Sequence, residues 1–137
     1  MKTASRILGT AFFQEGYQVQ DAQRYGAERR GAPIFAYVRA AREQIYERGI
    51  IRDPNLVVVA DETLVPMPAA GVLQGISDDS VLLLRSRDTA ETWQTRLHLT
   101  NLIQILPAAE YGHEPLAWRS LGMVCAAAAA RLCGVIP

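Results

Sequence analysis

The sequence predicts an α/β layer fold with a mainly parallel sheet. Segments with helical spacing of apolar residues alternate along the chain with short runs of β-branched residues, which is the pattern of helices that cover a parallel sheet. The chain has 137 residues, half of them hydrophobic, which is enough for one domain with a core and too little for two. We therefore expect one domain over residues 1–137.

The first element is an amphipathic helix. Between residues 3 and 16, apolar side chains recur at helical spacing, and Gly16 stands where a helix ends. Residues 17–20 alternate as in a short strand. Residues 21–33 contain two glycines and a proline among charges, which predicts an ordered loop.

Three apolar runs rich in branched side chains predict strands at residues 34–38, 56–60 and 81–84. The first two lack polar alternation, so we expect both faces of these strands to be covered. Prolines and glycines interrupt residues 62–76, which predicts short helical turns there.

The last third of the chain predicts one short and one long helix. Residues 88–97 fit a brief helix, whereas residues 99–106 are compatible with either a strand or a helix. Residues 115–132 are apolar on almost every side, which is typical of a helix that is largely buried.

Charge and hydropathy exclude several classes of protein. Fourteen basic residues balance fourteen acidic residues, so we expect no nucleic acid and no anionic membrane as partner. The longest apolar run, residues 121–130, is too short to span a bilayer, and no export signal is visible near the start. Cys125 and Cys133 lie eight residues apart on one predicted helix, about 12 Å apart. They are therefore expected to be reduced and buried, as in a cytoplasmic protein.

The segment YGAERRGAP at residues 25–33 is the most informative for binding. Gly26 and Gly31 flank Glu28, Arg29 and Arg30, so the backbone can turn at both ends while it presents charges. Arginine forks held in this way suit a carboxylate or a phosphate. A solvent-exposed turn with a local ion pair is the alternative reading.

Other reactive residue types do not form patterns that support catalysis. His98 and His113 lie fifteen residues apart without clustered ligands, which disfavours a metal site. Ser120 has no nucleophile-elbow pattern around it. The sequence contains neither a glycine-rich phosphate loop nor a Cys-x-x-Cys motif. We therefore assign no catalytic residue and no metal ligand to this chain.

Four segments resemble, in order and spacing, the gamma subunit or domain of pyruvate:ferredoxin oxidoreductases and related 2-oxoacid:acceptor oxidoreductases. They are KTASRILG at residues 2–9, EGYQVQ at 15–20, YGAERRGAP at 25–33 and DPNLVVVAD at 53–61. The resemblance covers about residues 2–86. The form of the third segment is more similar to the pyruvate-type branch than to the 2-oxoglutarate branch.

This resemblance implies one subunit of a cytoplasmic, multi-subunit enzyme that oxidatively decarboxylates a 2-oxoacid to its acyl-CoA. It also implies that this domain is a three-layer α/β/α fold with a mainly parallel sheet. Thiamine diphosphate, iron-sulfur clusters and coenzyme A are expected in the complex, and a ferredoxin-type protein is expected as the electron acceptor. None of these cofactors is expected to be bound by this chain alone. Two cysteines cannot hold a cluster, and the Gly-Asp-Gly motif of thiamine diphosphate sites is absent.

The resemblance also implies where this chain meets the coenzyme or another subunit. The expected residues are the loop residues Tyr25, Gly26, Glu28, Arg29, Arg30 and Gly31, together with Thr3 and Ser5 near the helix start. Helix starts suit phosphates.

The family carries a strand and a glycine-rich turn directly before the helix that begins here at residue 2. We therefore expect a gamma-type domain that lacks this first strand and is truncated at the N-terminus, and the absence of the family's last helical residues extends that expectation to the C-terminus. Two alternatives stay open: a stand-alone module that binds coenzyme A, a phosphate or a protein partner, and an inactive fragment.

Overall fold

The computed structural model describes residues 2–25, 34–48, 51–67, 70–107 and 115–134. It contains, in chain order, α1 (Lys2–Gln14), β1 (Gln18–Tyr25), β2 (Ile34–Ala41), β3 (Leu56–Val59), a 3-10 turn (Glu62–Leu64), β4 (Val81–Ser86), α2 (Ala90–Leu97), β5 (Ile103–Pro107) and α3 (Pro115–Cys133). The α/β class is confirmed.

The chain divides into two compact units. The first unit comprises residues 1–51 and 118–137, and the second comprises residues 52–117. The first unit therefore holds α1, the β1–β2 pair and most of α3, and the second holds the other strands and α2.

In the first unit, α1 ends as its sequence predicts. Gly16 follows the helix with a φ of +87°, a backbone conformation that glycine adopts without a steric penalty. The amides of Gly16 and Tyr17 return to the carbonyls of Phe13 and Phe12, at 3.0 and 3.1 Å. These hydrogen bonds satisfy carbonyls that the end of a helix leaves without partners.

The two strands of the first unit correct two expectations. β1 and β2 form an antiparallel pair of eight residues each, in register from Gln18 opposite Ala41 to Tyr25 opposite Ile34. Residues 21–25 thus extend a strand where a loop was predicted, because cross-strand hydrogen bonds override the low strand preference of their polar side chains. β2 pairs with β1 rather than in the parallel sheet, and its described side chains are only half-buried.

The second unit contains a parallel sheet with the strand order β3-β4-β5. The central strand is the most buried, with Leu82, Leu83 and Leu84 at 0–1% exposure. The ambiguous segment at residues 99–106 resolves into β5, which pairs with β4 from Ile103 opposite Leu82. In β3 only Val59 is fully buried, and the three preceding residues are half-buried, so this strand is less covered than predicted.

Side chains from β3, β4, β5 and α2, with one residue that follows the 3-10 turn, form one hydrophobic core in the second unit. Its buried members are Val59, Val65, Leu82, Leu84, Trp93 and Ile103. α2 begins at the cap residue Thr89, whose hydroxyl accepts a hydrogen bond from the Thr92 amide at 3.2 Å. The cap satisfies one of the free amides of the first turn.

The long helix α3 is less buried than its composition predicts. Along its described side chains, Cys125, Ala126 and Ala129 are at 1–2% exposure, whereas Met123 and Val124 are 54% and 45% exposed. Cys125 is buried as expected, but Cys133 is only half-buried. An apolar composition all round a helix thus does not ensure burial, because burial depends on which faces find partners.

Candidate functional site

The predicted arginine loop connects the two strands of the antiparallel pair. Residues 26–33, which include Gly26, Glu28, Arg29, Arg30 and Gly31, lie outside the described residues. Tyr25 is the last residue of β1, and its backbone pairs with Ile34, the first residue of β2. The backbone therefore brings the two ends of the predicted loop next to each other.

The other predicted residues lie in the first two turns of α1. Thr3 is exposed, whereas Ser5 is at 6% exposure and takes part in an interaction within the structure. No acidic residue occupies the first turn of this helix. The positive end of the helix dipole is thus not neutralised by a carboxylate of its own first turn.

Close contacts fasten α1 to the antiparallel pair that carries the loop. A methyl group at Gly9 would lie 3.3 Å from Cγ1 of Val19 in β1. The rings of Phe12 and Tyr17 meet edge to face with centroids 5.2 Å apart. The guanidinium of Arg42 lies 4.0 Å from the Tyr17 ring centroid, which adds a cation–π contact. The helix and the base of the loop therefore belong to one packed unit.

A second group of polar side chains lies at the carboxyl ends of β3 and β4, the edge where open parallel sheets bind ligands. Ser86, at 1% exposure, is the last residue of β4. Its Oγ donates a hydrogen bond to a carboxylate oxygen of Glu62, and accepts from Nε1 of Trp93 at 2.8 Å and from the Asp88 amide at 3.0 Å. A shallow cleft beside Ser86 is lined by residues 86–90, 103–105 and 107.

The geometry of Ser86 assigns it a structural role. A serine hydroxyl has one hydrogen to donate and two lone pairs to accept with, and all three are used here. The buried Oγ has no capacity left to attack a substrate. Asp88 next to it pairs with Arg96 at 3.2 Å, and both side chains are about half-exposed, so this ion pair contributes little to stability.

Neither cysteine belongs to a metal-binding set among the residues that the structure describes. Within the described ranges no three His, Cys, Asp or Glu side chains come together in a set that could hold a metal ion. Burial raises the pKa of the Cys133 thiol above its ordinary value, which keeps it protonated and poorly nucleophilic near neutral pH. An iron-sulfur cluster, which needs a set of thiolates, does not fit the two cysteines of this chain.

Sequence reasoning missed the group formed by Glu62, Ser86 and Trp93. The available signal was positional, since Glu62 and Ser86 lie at or just after the ends of two predicted strands, and the carboxyl ends of parallel strands meet at one edge.

None of the helices in the described parts of the chain is long and apolar enough to cross a membrane.

The sequence pattern of the pyruvate ferredoxin/flavodoxin oxidoreductase family matches residues 1–137. The chain is 30% identical over 136 residues to the pyruvate synthase subunit PorC of Thermotoga maritima, and the match covers 99% of this chain and 69% of that protein. It is 38% identical over 96 residues to the pyruvate synthase subunit PorC of Methanothermobacter marburgensis, which covers 70% of this chain and 53% of that one. The chain is 36% identical over 89 residues to the common gamma subunit of the pyruvate/ketoisovalerate oxidoreductases of Pyrococcus furiosus, and this match covers 65% of this chain and 47% of that one.

The fold also matches a solved structure. The crystal structure of the pyruvate oxidoreductase subunit PORC from Thermotoga maritima superposes with a TM-score of 0.75 at 27% identity, and covers 99% of this chain and 71% of that chain. The chain thus spans about two thirds of the Thermotoga protein and about half of the other two relatives.

Proposed function

This chain belongs to the pyruvate ferredoxin/flavodoxin oxidoreductase family, and from that premise we propose that it acts as the gamma-type subunit of a 2-oxoacid:ferredoxin oxidoreductase. That enzyme oxidatively decarboxylates a 2-oxoacid, with pyruvate as the proposed substrate, and transfers the acyl group to coenzyme A and the electrons to a ferredoxin-type acceptor. The observation that carries the proposal is the family match over all 137 residues, supported by the similarity of the fold to PORC.

The chemistry of the chain supports a subunit that is not catalytic alone. Its two cysteines are too few to hold an iron-sulfur cluster. The hydroxyl of the buried Ser86 is fully used in hydrogen bonds and is not free to act as a nucleophile. Thiamine diphosphate and the iron-sulfur clusters would then be held by other subunits, and the complex would lie in the cytoplasm. One gamma-type domain, residues 1–137, would be this chain's contribution.

We assign the contact with coenzyme A or with a neighbouring subunit to the loop between β1 and β2 and to the start of α1. Tyr25, Gly26, Glu28, Arg29, Arg30 and Gly31 belong to the loop and its base, and Arg29 and Arg30 would pair with phosphates or carboxylates. Thr3 and Ser5 would lie near the same phosphates. Thr3 is the more accessible of the two, because Ser5 is buried.

The test is reconstitution with the larger subunits from the same organism. The complex is expected to reduce ferredoxin or a viologen dye with pyruvate and coenzyme A, whereas the complex prepared without this chain and the chain alone are both expected to be inactive. Pyruvate oxidation by the purified chain alone would refute the proposal. So would full activity of the complex that lacks it.

The loop assignment has its own test in the same complex. Arg29→Ala is expected to weaken coenzyme A binding or subunit assembly by about tenfold, the effect of losing one charge-assisted hydrogen bond. Arg131→Ala, at an exposed position in the last turn of α3, is the matched control and is expected to change neither. Equal coenzyme A affinity and equal subunit assembly of the two variants would refute the assignment of the loop to the binding site.

A further inference from the structure

The exposed apolar side chains of the first unit gather on its two helices. Among the described residues, seven large apolar side chains are exposed, and four of them belong to α1 and α3. They are Ile7, Phe13, Met123 and Val124, at 40%, 70%, 54% and 45% exposure. Single exposed apolar residues are ordinary at a protein surface, whereas a group of them on neighbouring elements marks a surface that another molecule covers.

α1 has an inner face and an outward face. The inner face packs on the antiparallel pair, where a methyl group at Gly9 would lie 3.3 Å from Cγ1 of Val19 and where Phe12 is 8% exposed. The residues of the outward face recur at intervals of three and four, which is the spacing of one side of a helix. They are all exposed and are Thr3, Arg6, Ile7, Thr10 and Phe13. α1 therefore presents an accessible side along most of its length.

The residues of α3 next to α1 continue this outward face. A methyl group at Gly122 would lie 3.1 Å from Cβ of Thr3, so the two helices touch at the first turn of α1. Met123 and Val124 follow Gly122 directly and are exposed, and Ile7 lies one turn after Thr3 on α1. Exposed apolar side chains thus flank the contact between the two helices. We call the outward face of α1, together with Met123 and Val124, the helix face.

The charges on these two helices are all of one sign. α1 and α3 carry four of the fourteen basic residues of the chain and none of the fourteen acidic residues. Arg6 lies on the helix face itself, and neither of the two ion pairs among the described residues involves it. Arg131 lies eight residues beyond Met123, about 12 Å along α3, and is outside the face. The helix face is therefore apolar, with one arginine that has no carboxylate partner in the described part of the chain.

We propose that the helix face docks on a larger subunit of the same enzyme, at an apolar surface bordered by carboxylates. The inference rests on the proposed function, which supplies that subunit. The charge of the face determines the chemistry of the partner, because an unpaired arginine among apolar side chains is complemented by a carboxylate. Phe13 is the expected anchor, since a large aromatic side chain that is 70% exposed gains most when a partner covers it.

The charge pattern disfavours two other occupants. In a symmetric pair of this chain, each helix face would meet an identical one and bring no carboxylate to Arg6. A helix that lies on an anionic membrane carries its apolar residues on one face and its basic residues on the opposite one. Arg6 and Phe13, seven residues apart, instead share one face of α1.

The test measures binding of the full chain to the complex of the larger subunits from the same organism, by surface plasmon resonance. Phe13→Ala is expected to raise the dissociation constant by about tenfold or more, as for a buried aromatic anchor. Tyr46→Ala, at an aromatic residue that is 81% exposed, is the matched control and is expected to leave the dissociation constant unchanged. An unchanged dissociation constant in Phe13→Ala would overturn the inference.

Tyr46 is a suitable control because it lies on the other side of the antiparallel pair. Val19 faces α1, so Gln20 and its cross-strand partner Arg39 lie on the opposite face of the pair. The guanidinium of Arg39 donates to the Glu47 carbonyl oxygen at 3.3 Å. This hydrogen bond places the segment that contains Tyr46 on the side away from α1.

Charge reversal tests the chemistry of the partner. Arg6→Glu is expected to lower the association rate constant about three- to tenfold at low salt, and to weaken its decrease with added salt. Arg48→Glu, at an exposed arginine next to Glu47, is the control and is expected to change this rate constant less than about twofold. Equal association rate constants for the two variants would overturn the inference.

A double variant of α3 covers the case in which Phe13→Ala does not fold, which circular dichroism of the free chain detects. Met123→Ala combined with Val124→Ala keeps good helix-forming residues in α3. It is expected to raise the dissociation constant about three- to tenfold. An unchanged value would overturn the inference.

Failure of the proposed function gives a different result from failure of the inference. If the unmodified chain does not bind the larger subunits, the proposed function is wrong and the inference falls with it. If it binds and the Phe13 and Met123/Val124 variants bind equally well, the inference is overturned and the proposed function stands.

Two further measurements identify another occupant. Sedimentation equilibrium of the free chain would show dimers that Phe13→Ala abolishes if a second copy covers the helix face. Flotation with phosphatidylserine vesicles would show binding that Arg6→Glu abolishes if a membrane covers it. Either result would overturn the inference, and the expected result is a monomer that does not float.

Discussion

Replacement of Ser86 by alanine is expected to destabilise the second unit strongly, although it removes a single oxygen atom. Ser86 is at 1% exposure, and its hydroxyl is the common partner of Glu62, Trp93 and the Asp88 amide. Alanine fits the same space without creating a cavity of any size. The effect on stability should therefore come from the hydrogen bonds alone.

The size of the effect follows from the burial of the three partners. Trp93 is 4% exposed, so its indole N–H would be left unpaired in the core, which costs about 1–3 kcal/mol. Glu62 and Asp88 are half-exposed, and water can replace the serine at both, so their lost hydrogen bonds together add only about 1 kcal/mol. We expect Ser86→Ala to lower the free energy of unfolding by about 2–4 kcal/mol.

Urea unfolding of the full chain, followed by far-UV circular dichroism, measures this loss. The midpoint should move to lower urea by about 1–2 M at an unchanged m value. Ser77→Ala changes an exposed residue of the same unit whose hydroxyl has only a long contact, 3.4 Å, with Oγ of Ser80; it serves as the control, with an expected change within about 0.5 kcal/mol. A loss of less than about 0.5 kcal/mol in Ser86→Ala would refute the argument, because it would mean that the indole N–H needs no partner at this position.

Three further predictions concern Gly75, Asn101 and Cys133. Gly75→Ala is expected to abolish folding of the second unit, because the φ of Gly75 is +80° and a methyl group there would clash with the Arg52 carbonyl oxygen. Gly134 has a similar φ of +69° but open space around it. Gly134→Ala is therefore expected to lower the free energy of unfolding by only about 1–2 kcal/mol in the same assay. Asn101→Asp is expected to cost at least about 3 kcal/mol, because the buried amide nitrogen donates at 2.7 and 2.9 Å to two carbonyl oxygens that would repel a carboxylate. Alkylation of Cys133 in the folded protein is expected to rise with pH around a midpoint above that of a solvent-exposed cysteine, because burial raises its pKa.

The outcomes that contradict these expectations are equally specific. Equal losses of stability in Gly75→Ala and Gly134→Ala would show that the backbone contact is unimportant. Asn101→Asp with the stability of the unmodified chain would refute the role of the amide. The pKa of the Cys133 thiol is raised in the folded state, so the protonated thiol favours folding. This contribution to stability is fully present below the pKa of the unfolded state and is lost as the pH rises through the pKa of the folded state. Cys133→Ser should abolish the measured alkylation, since Cys125 is buried.

Several elements were predictable because their signals are local. The spacing of apolar residues predicted α1, and Gly16 predicted its end, because a helix stop depends on the backbone freedom of one residue. The runs of branched apolar residues predicted β3 and β4. The resemblance of four short segments pointed to the family that the match over the whole chain then established.

Other features depended on partners that are remote in sequence. The antiparallel pairing of β1 with β2 lengthened a predicted four-residue strand to eight residues, because hydrogen bonds from β2 compensated for polar side chains. Along its described side chains, α3 buries Cys125, Ala126 and Ala129 on one face and exposes Met123 and Val124. A composition does not specify which face that is.

The sequence by itself determined α1, β3 and β4, the family, and the absence of a cluster-binding set of cysteines. Only the tertiary structure decided that Ser86 joins Glu62, 24 residues away, to Trp93, and that Gly122 meets Thr3. Helix and strand signals arise from neighbours within a few residues, whereas hydrogen bonds and close contacts between elements depend on how the chain folds back on itself. The range of the interaction therefore explains which features could be predicted. Local preferences can be recognised from the spacing of residue types, whereas contacts between elements are set only by how those elements pack.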